Sequence, residues 1–493
     1  MTGLVAAVIA VVGSTLGGRS LLALFDRVCG TREIQRPSAE IWGASILLGA
    51  GFTSALAFVW SDIGQPLTAQ FSWGQVGLSG VLGMLVIVNA RRQLSRAHDE
   101  DSRPALAPLA RACQVVLGFV IAAAFLQTFL TPQKFWDERA IFAIKAKVLY
   151  EAGTIDAPEL LHPDFVQYHP RYPLMLPLLE RHVYALAGRA NDRWAKVWFP
   201  LMYAGLVLSY AGVLARRTSP DWGWLMATVL GLVPVLLPDE YGFLSAQADA
   251  PMACFQGVAV LYFWDALHEH RGAIQRRSLL LASSLAAGAC FVKDEGLAYL
   301  LVDLLAWASA LLLGGGRLGF EALDEKLPRR LGHQLAAMTT FGLFAAILLI
   351  PWMRHRATLP TTTEMHYLER MEAGRLLERL STLQWSLPHL VRRMFVEWRI
   401  WGLPWWLLLL AALTAPRRSW AGPQRFLLLI LLGALAAFVV AGMLAPAELE
   451  EHLGGSSHRY LMQLVPVAVL FVAAVWSPAV SVPPVAEPPK RTA

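Results

Sequence analysis

Apolar runs of roughly 17–25 residues recur along nearly the whole chain, each long enough to cross a hydrocarbon layer as a helix. In lipid a spanning segment must satisfy its own backbone polar groups, which leaves helices or closed barrels as solutions. Continuous apolar runs, rather than short alternating ones, select the helix. The expected spans are 3–25, 41–60, 73–90, 107–131, 196–215, 222–238, 248–267, 278–292, 297–313, 333–353, 402–415, 424–444 and 460–477, about thirteen in all. The composition agrees: 56% of the 493 residues are hydrophobic and 16% are charged, against about 25% charged in an ordinary soluble domain. The chain reads as an all-α, polytopic membrane bundle.

The formal net charge of +6 does not point to nucleic acid, because the basic residues sit largely in short loops between apolar runs. Four cysteines, Cys29, Cys113, Cys254 and Cys290, show neither zinc-ligand nor disulfide-framework spacing. The opening "MTGLVAAVIAVVGSTLGG" lacks a basic leader and reads as a first span, not a cleaved signal.

Alternate loops differ in charge. One set, including "DRVCGTREIQR", "RRQLSRAHDEDSR", "ARRTSPD", "HEHRGAIQRR" and "PRRSWAGPQR", is rich in Lys and Arg. Short members of the other set, "SDIGQPLTAQFS" and "PDEYGFLSAQ", have none. The positive-inside rule assigns the first set to the cytoplasm and puts the N-terminus outside. Two outer loops, 132–195 and 354–401, are long enough to carry juxtamembrane helices of their own. "VEWRIWGLPWW" (396–406) reads as an aromatic belt at the interface, and the Pro-rich tail 478–493 as disordered.

Candidate chemistry gathers on that outer side. Asp137 and Glu138 stand where a span ends, in "KFWDERAIFAIKAKVLYEAG". A helix over 136–152 would align Asp137 with Ile141, Ile144 and Val148 and point Glu138 away. A helix N-cap is the plainer reading of Asp137. "LHPDFVQYHPRYPLMLPLLE" (161–180) carries His169, Arg171 and Tyr172 among four prolines that favour an extended path. Asp249 opens one span, Lys293, Asp294 and Glu295 occupy a very short turn, and Ser456, His458 and Arg459 lie at the mouth of the last span. Ionisable groups at membrane depth usually line a cavity or pathway. Asp303 lies deeper, with Arg19 as one conceivable partner.

The order "FWDE", "HPRYPLMLP", "ADAPMACF", "KDEGL", "HLGGSSHRYLMQLVP" resembles bacterial membrane glycosyltransferases of the GT-C superfold. The nearest likeness is to the family 39-like group related to protein O-mannosyltransferases and aminoarabinose transferases. It covers about residues 107–477 and leaves 1–106 as additional N-terminal spans. The resemblance implies a polyprenyl-phosphate sugar donor, a glycan, lipid or protein acceptor, and a site facing the periplasm of a bacterial inner membrane. It implies catalytic roles for Asp137, with Glu138 beside it, and for Asp249. Lys293, His458 and Arg459 would hold the donor phosphate, supported by Glu295, with His169, Arg171 and Tyr172 lining the substrate. Asp294 departs from the family pattern and receives no role. A divalent metal on carboxylate oxygens is compatible with the chemistry and not demanded by it. Two other readings stay open: a transporter or flippase, and a noncatalytic scaffold.

Overall fold

The computed structural model describes residues 2–31, 36–97, 107–238, 240–268, 272–314, 327–361, 371–444 and 449–478. All regular structure among them is helical. The helices are α1 (Gly3–Cys29), α2 (Ser38–Asp62), α3 (Ala69–Ala97), α4 (Pro108–Leu130), α5 (Ile144–Ala152), α6 (Met175–Ala187), α7 (Trp198–Arg217) and α8 (Pro220–Gly231). They continue as α9 (Asp249–Leu267), α10 (Ala273–Val292), α11 (Glu295–Leu313), α12 (Leu327–Thr358), α13 (Leu383–Phe395), α14 (Pro404–Thr414), α15 (Gly422–Leu444) and α16 (Leu449–Val475).

Each of the expected apolar spans falls on a helix, but among the described residues ten helices are long and apolar enough to cross a membrane. The chain is therefore a multi-pass membrane protein. Two of the remaining expected spans are short: α8 has 12 residues and α14 has 11, about 18 Å or less against a hydrocarbon core of about 30 Å. The span expected over 222–238 stops at Gly231 because Pro234 opens a 3₁₀ turn, Pro234–Leu236. The third, α10, carries Gln275, Arg276 and Arg277 near its start. The Pro-rich tail lies outside the described residues beyond Pro478.

The core forms around α9, whose residues from Asp249 to Leu267 are all buried. A helix apolar all round belongs in the interior, and α9 packs against α7, α10 and α16. Close backbone approach joins α1 and α2 to this core. A Cβ on Gly18 would stand 1.9 Å from the Ser45 carbonyl oxygen, and one on Gly212 of α7 would stand 2.1 Å from the Glu40 amide nitrogen. Only glycine lets these backbones meet.

At one end of the bundle, three Lys/Arg-rich loops converge on a buried ion network. Arg36 and Arg277 both bind Asp26 Oδ1 at 2.6 Å. Arg216 bridges Glu40 (2.8 Å) and Asp265 (3.0 Å), and Asp265 also accepts from Arg217 at 2.5 Å and from the Ser278 hydroxyl at 2.7 Å. The ends of α1, α2, α7, α9 and α10 are thereby pinned together. At the opposite end, the α2–α3 turn meets the long loop 132–195: the Leu67 amide donates to the Gly153 carbonyl at 2.7 Å, and Arg181 donates to the Ser72 hydroxyl at 2.8 Å.

That loop is largely helical, in contrast to the extended path expected for 161–180. Pro163–Tyr168 forms a 3₁₀ turn, and α6 accommodates Pro177 in its first turn, where a missing amide costs nothing. The second long loop carries α13, whose Trp385, Leu387 and Val391 remain exposed, as in a helix lying at a membrane interface. The expected aromatic belt is split: Trp398 and Trp406 are exposed, whereas Trp401 and Trp405 are buried.

Breaking a buried ion pair strands its partner, typically at about 3–5 kcal/mol. Glu40→Gln, which weakens the hold on Arg216, is expected to lower the thermal midpoint of the detergent-purified protein by more than Arg217→Gln does. Arg217 is partly solvated and its loss leaves Asp265 with Arg216 and Ser278. Equal midpoints would contradict the role given to Glu40.

Candidate functional site

Asp249 is the first residue of α9 and is fully buried. Its carboxylate is saturated from three directions. Oδ1 accepts from Lys293 Nζ at 2.7 Å and from Gln463 Nε2 at 3.0 Å. Oδ2 accepts from Arg459 Nε at 3.1 Å, with the Arg459 NH2 group 3.0 Å away. A helix N-terminus favours a negative charge at this position. The loop side contributes Asp137, whose Oδ2 lies 3.6 Å from the same Arg459 guanidinium, and both side chains are about one-quarter exposed. Lys293 also binds Glu295 at 2.8 Å. Asp137, Asp249, Lys293, Glu295 and Arg459 thus meet at one end of the bundle, opposite the Lys/Arg-rich network.

Local backbone explains this meeting. Lys293 and Asp294 make the whole turn between α10 and α11, closed by the Gly296 amide donating to the Lys293 carbonyl at 3.0 Å. A Cβ on Gly296 would stand 2.5 Å from Cys290 Cα, so "KDEG" needs its glycine for so tight a reversal. Asp294, without an expected role, binds Arg356 at 2.8 Å, and Arg356 Nε donates to the Arg171 carbonyl at 3.3 Å. It ties the turn to α12 and to the proline-rich loop.

The acidic pair divides its work in the reverse of the expected orientation. Glu138 is the fully buried member, and Asp137 is partly exposed. Residues Asp137–Ala143 are a π-helix, preceding the α-helix of α5. Its i→i+5 bonding adds a residue to the turn and rotates the buried stripe to Glu138, Ile141, Phe142, Lys145 and Leu149; Ile144 and Val148 are only half buried. The N-cap position belongs to Trp136, so Asp137 is not a cap. Glu138 Oε2 accepts the amides of Lys134 (2.6 Å) and Phe135 (2.9 Å), while Oε1 accepts the Ala246 amide (2.6 Å) and lies 3.6 Å from Lys196 Nζ. It clamps the segment before Asp137 to the segment before Asp249. Its role here is to position the neighbouring groups.

His169, Arg171 and Tyr172 are placed by Lys145, whose Nζ donates to the His169 carbonyl at 2.7 Å and the Tyr172 carbonyl at 3.4 Å. His169 takes a left-handed φ of +50°, uncommon without glycine, and its ring stacks on Tyr172 at 4.7 Å. Burial and then the neighbouring Glu295 carboxylate push the Tyr172 phenol above its usual range, against the opposing pull of Arg459. It stays a protonated donor at neutral pH. Arg171 Nε is buried without a hydrogen-bond partner. His458 lies one residue round α16 from the cluster, its ring between Tyr241 (6.1 Å) and Trp401 (5.4 Å).

Tyr241 and Gln463 join the site without having been singled out by sequence. The Tyr241 ring lies 4.9 Å from the Arg459 guanidinium, within cation–π range. Gln463 is four residues beyond Arg459, and that helical spacing was the available signal for it. Asp303 pairs with Gln256 at 2.9 and 3.1 Å rather than with Arg19. Among the described residues, no group of three or more His, Cys, Asp or Glu side chains comes together to hold a metal. Asp249 already spends its oxygens on three side chains.

The two acidic neighbours should respond differently to loss of charge. Glu138→Gln turns an amide N–H₂ toward buried amide donors and strands at least one of them, costing about 1–3 kcal/mol. Asp137→Asn removes a partly solvated contact, costing under about 1 kcal/mol. A thermal midpoint that falls as far for Asp137→Asn as for Glu138→Gln would overturn this division.

Comparison with family models, with curated proteins and with solved structures found no match for this chain.

Proposed function

We propose that this protein is a membrane glycosyltransferase that moves a sugar from a polyprenyl-phosphate donor to an acceptor hydroxyl at the outer face of a bacterial cytoplasmic membrane. The observation that carries the reading is the partly exposed Asp137 carboxylate beside the Arg459 guanidinium, which the buried Asp249 holds together with a second cation, Lys293. The Lys/Arg-rich loops gather at the other end of the bundle, which by the positive-inside rule makes this end the outer one. The motif order read from the sequence points the same way, to a GT-C type enzyme.

The chemistry needs three things. A carboxylate within reach of the acceptor takes its proton as the new bond forms. The acceptor oxygen attacks the anomeric carbon, the bond from that carbon to the phosphate oxygen breaks, and the electron pair leaves with the polyprenyl phosphate. The proton ends on Asp137. This direct displacement inverts the anomeric centre. Lys293 and Arg459 stabilise charge on the departing phosphate, and Arg459 can engage it with a planar pair of donors. Asp249 positions both cations, and Glu138 positions the loop that carries Asp137. Tyr172 supplies a neutral donor for sugar or phosphate oxygens, with His169 and Arg171 beside it.

A transporter reading draws on Asp303, whose carboxylate accepts from Gln256 inside the bundle. It gives no account of why Asp137, Lys293 and Arg459 converge at one end.

Purified wild-type protein should transfer label from one member of a panel of radiolabelled polyprenyl-phosphate sugars when a cell-envelope extract supplies the acceptor. Asp137→Asn should fold and retain the donor but lose about 10²–10⁴-fold in transfer rate. Near-normal transfer by that variant would remove Asp137 as base. Movement of the lipid-linked sugar across liposomes without a glycosidic product would favour transport instead.

A further inference from the structure

A groove of about 420 Å³ runs between α1, α2 and α3, far from the acidic cluster. Its floor is Gly17, Phe52 and Ser79, and its walls include Leu24, Leu82 and Leu85. Those three leucines are 44–55% exposed, so the groove opens sideways, and the helices that form it are all long and apolar enough to span a membrane. In a bilayer this opening faces lipid chains, not water. Small residues, Gly17 and Ser20 on α1 and Ser79 on α3, make the hollow.

One end of the groove is charged. Arg27, in the last turn of α1, lines it together with Asn89 of α3. Arg92 stands three residues beyond Asn89 and seven beyond Leu85, which by helical spacing extends the same face by one turn. Arg27 and Arg92 are both exposed. They lie at the end of the bundle where the Lys/Arg-rich loops converge. Asp26, the acidic neighbour of Arg27, is turned to the other side, where it is engaged by Arg36 and Arg277.

We infer that this groove is a binding site for an anionic phospholipid, with one hydrocarbon chain between α1 and α3 and the headgroup phosphate on Arg27 and Arg92. The groove follows α1 from Gly17 to Arg27, about 15 Å at helical rise; an apolar tail along it brings a headgroup to Arg27, a cation that an apolar partner helix would leave unused. The arginines favour an anionic headgroup over a zwitterionic one, and guanidinium matches phosphate geometry. The inference gives the three N-terminal spans a lipid-binding task of their own, and it does not depend on the transferase reading.

The test uses the full chain equilibrated with equal amounts of phosphatidylglycerol and phosphatidylcholine of identical chains, followed by native mass spectrometry of retained lipid. Wild type is expected to hold one phosphatidylglycerol in clear preference. Arg27→Gln with Arg92→Gln, both at exposed positions, should weaken that retention by about 25-fold, fivefold for each arginine, and leave phosphatidylcholine unchanged. Ser20→Phe, which fills the hollow, should reduce retention of both lipids. Wild-type retention without headgroup preference, or a double variant that holds phosphatidylglycerol as wild type does, would overturn the inference. So would a dimer that holds no lipid in the groove and is dissociated by Ser20→Phe.

Discussion

The end of this bundle that carries the acidic cluster is organised by one buried carboxylate. Asp249 sits where α9 begins, and three side chains from two other places in the chain converge on it: Lys293 from the α10–α11 turn, and Arg459 and Gln463 from α16. A buried charge costs several kcal/mol unless it is paired and hydrogen-bonded, so the carboxylate dictates where the turn and α16 must stand. The arrangement also fixes two cations that would otherwise repel each other. The same Arg459 NH2 group that meets Asp249 also faces Asp137, and the guanidinium lies over Tyr241. This pairing leaves Asp137 and Arg459 partly exposed, while Lys293 stays buried against Asp249 and Glu295.

The opposite end solves the same problem with different residues. Asp26, Glu40 and Asp265 hold Arg36, Arg216, Arg217 and Arg277, so both ends of α9 are tied by charge while its length is tied by apolar packing. Glycines set how near α1, α2 and α7 approach one another. These contacts attach the first two spans to the core, although they contribute no side chain to the acidic cluster. Charge pairing at the ends and close packing between them together give a rigid frame. Against such a frame a loop residue such as Asp137 can be held to a definite place by a neighbour, Glu138, whose three backbone contacts do the positioning.

Much of this was legible in the sequence, because hydropathy is a local property. The apolar runs located the helices, and the contrast between Lys/Arg-rich loops and short Lys/Arg-free ones put Asp137, Asp249, Lys293, Glu295 and Arg459 on one side, although the long loops of that side carry Lys and Arg too. There the structure brings the five together. What was not legible depends on contacts between distant segments. The π-helical register of 137–143 turns Glu138 inward because the Ala246 amide and Lys196 are there to receive it, and no local pattern encodes that. Trp401 and Trp405 look like interfacial residues until His458 and the bundle cover them. The shortness of α8 and α14 is a matter of where the chain turns after Gly231 and before Pro404, which an apolar composition does not reveal. Asp294 gained a role only when Arg356, sixty-two residues on, appeared beside it.

The most direct test of the central claim is a structure of the protein with a polyprenyl monophosphate bound. The account predicts the phosphate oxygens on Lys293 and Arg459, with the Asp137 carboxylate facing the side from which an acceptor would arrive and Asp249 still holding both cations. A phosphate lodged elsewhere, with the Asp249 cluster unchanged and uncontacted, would contradict it.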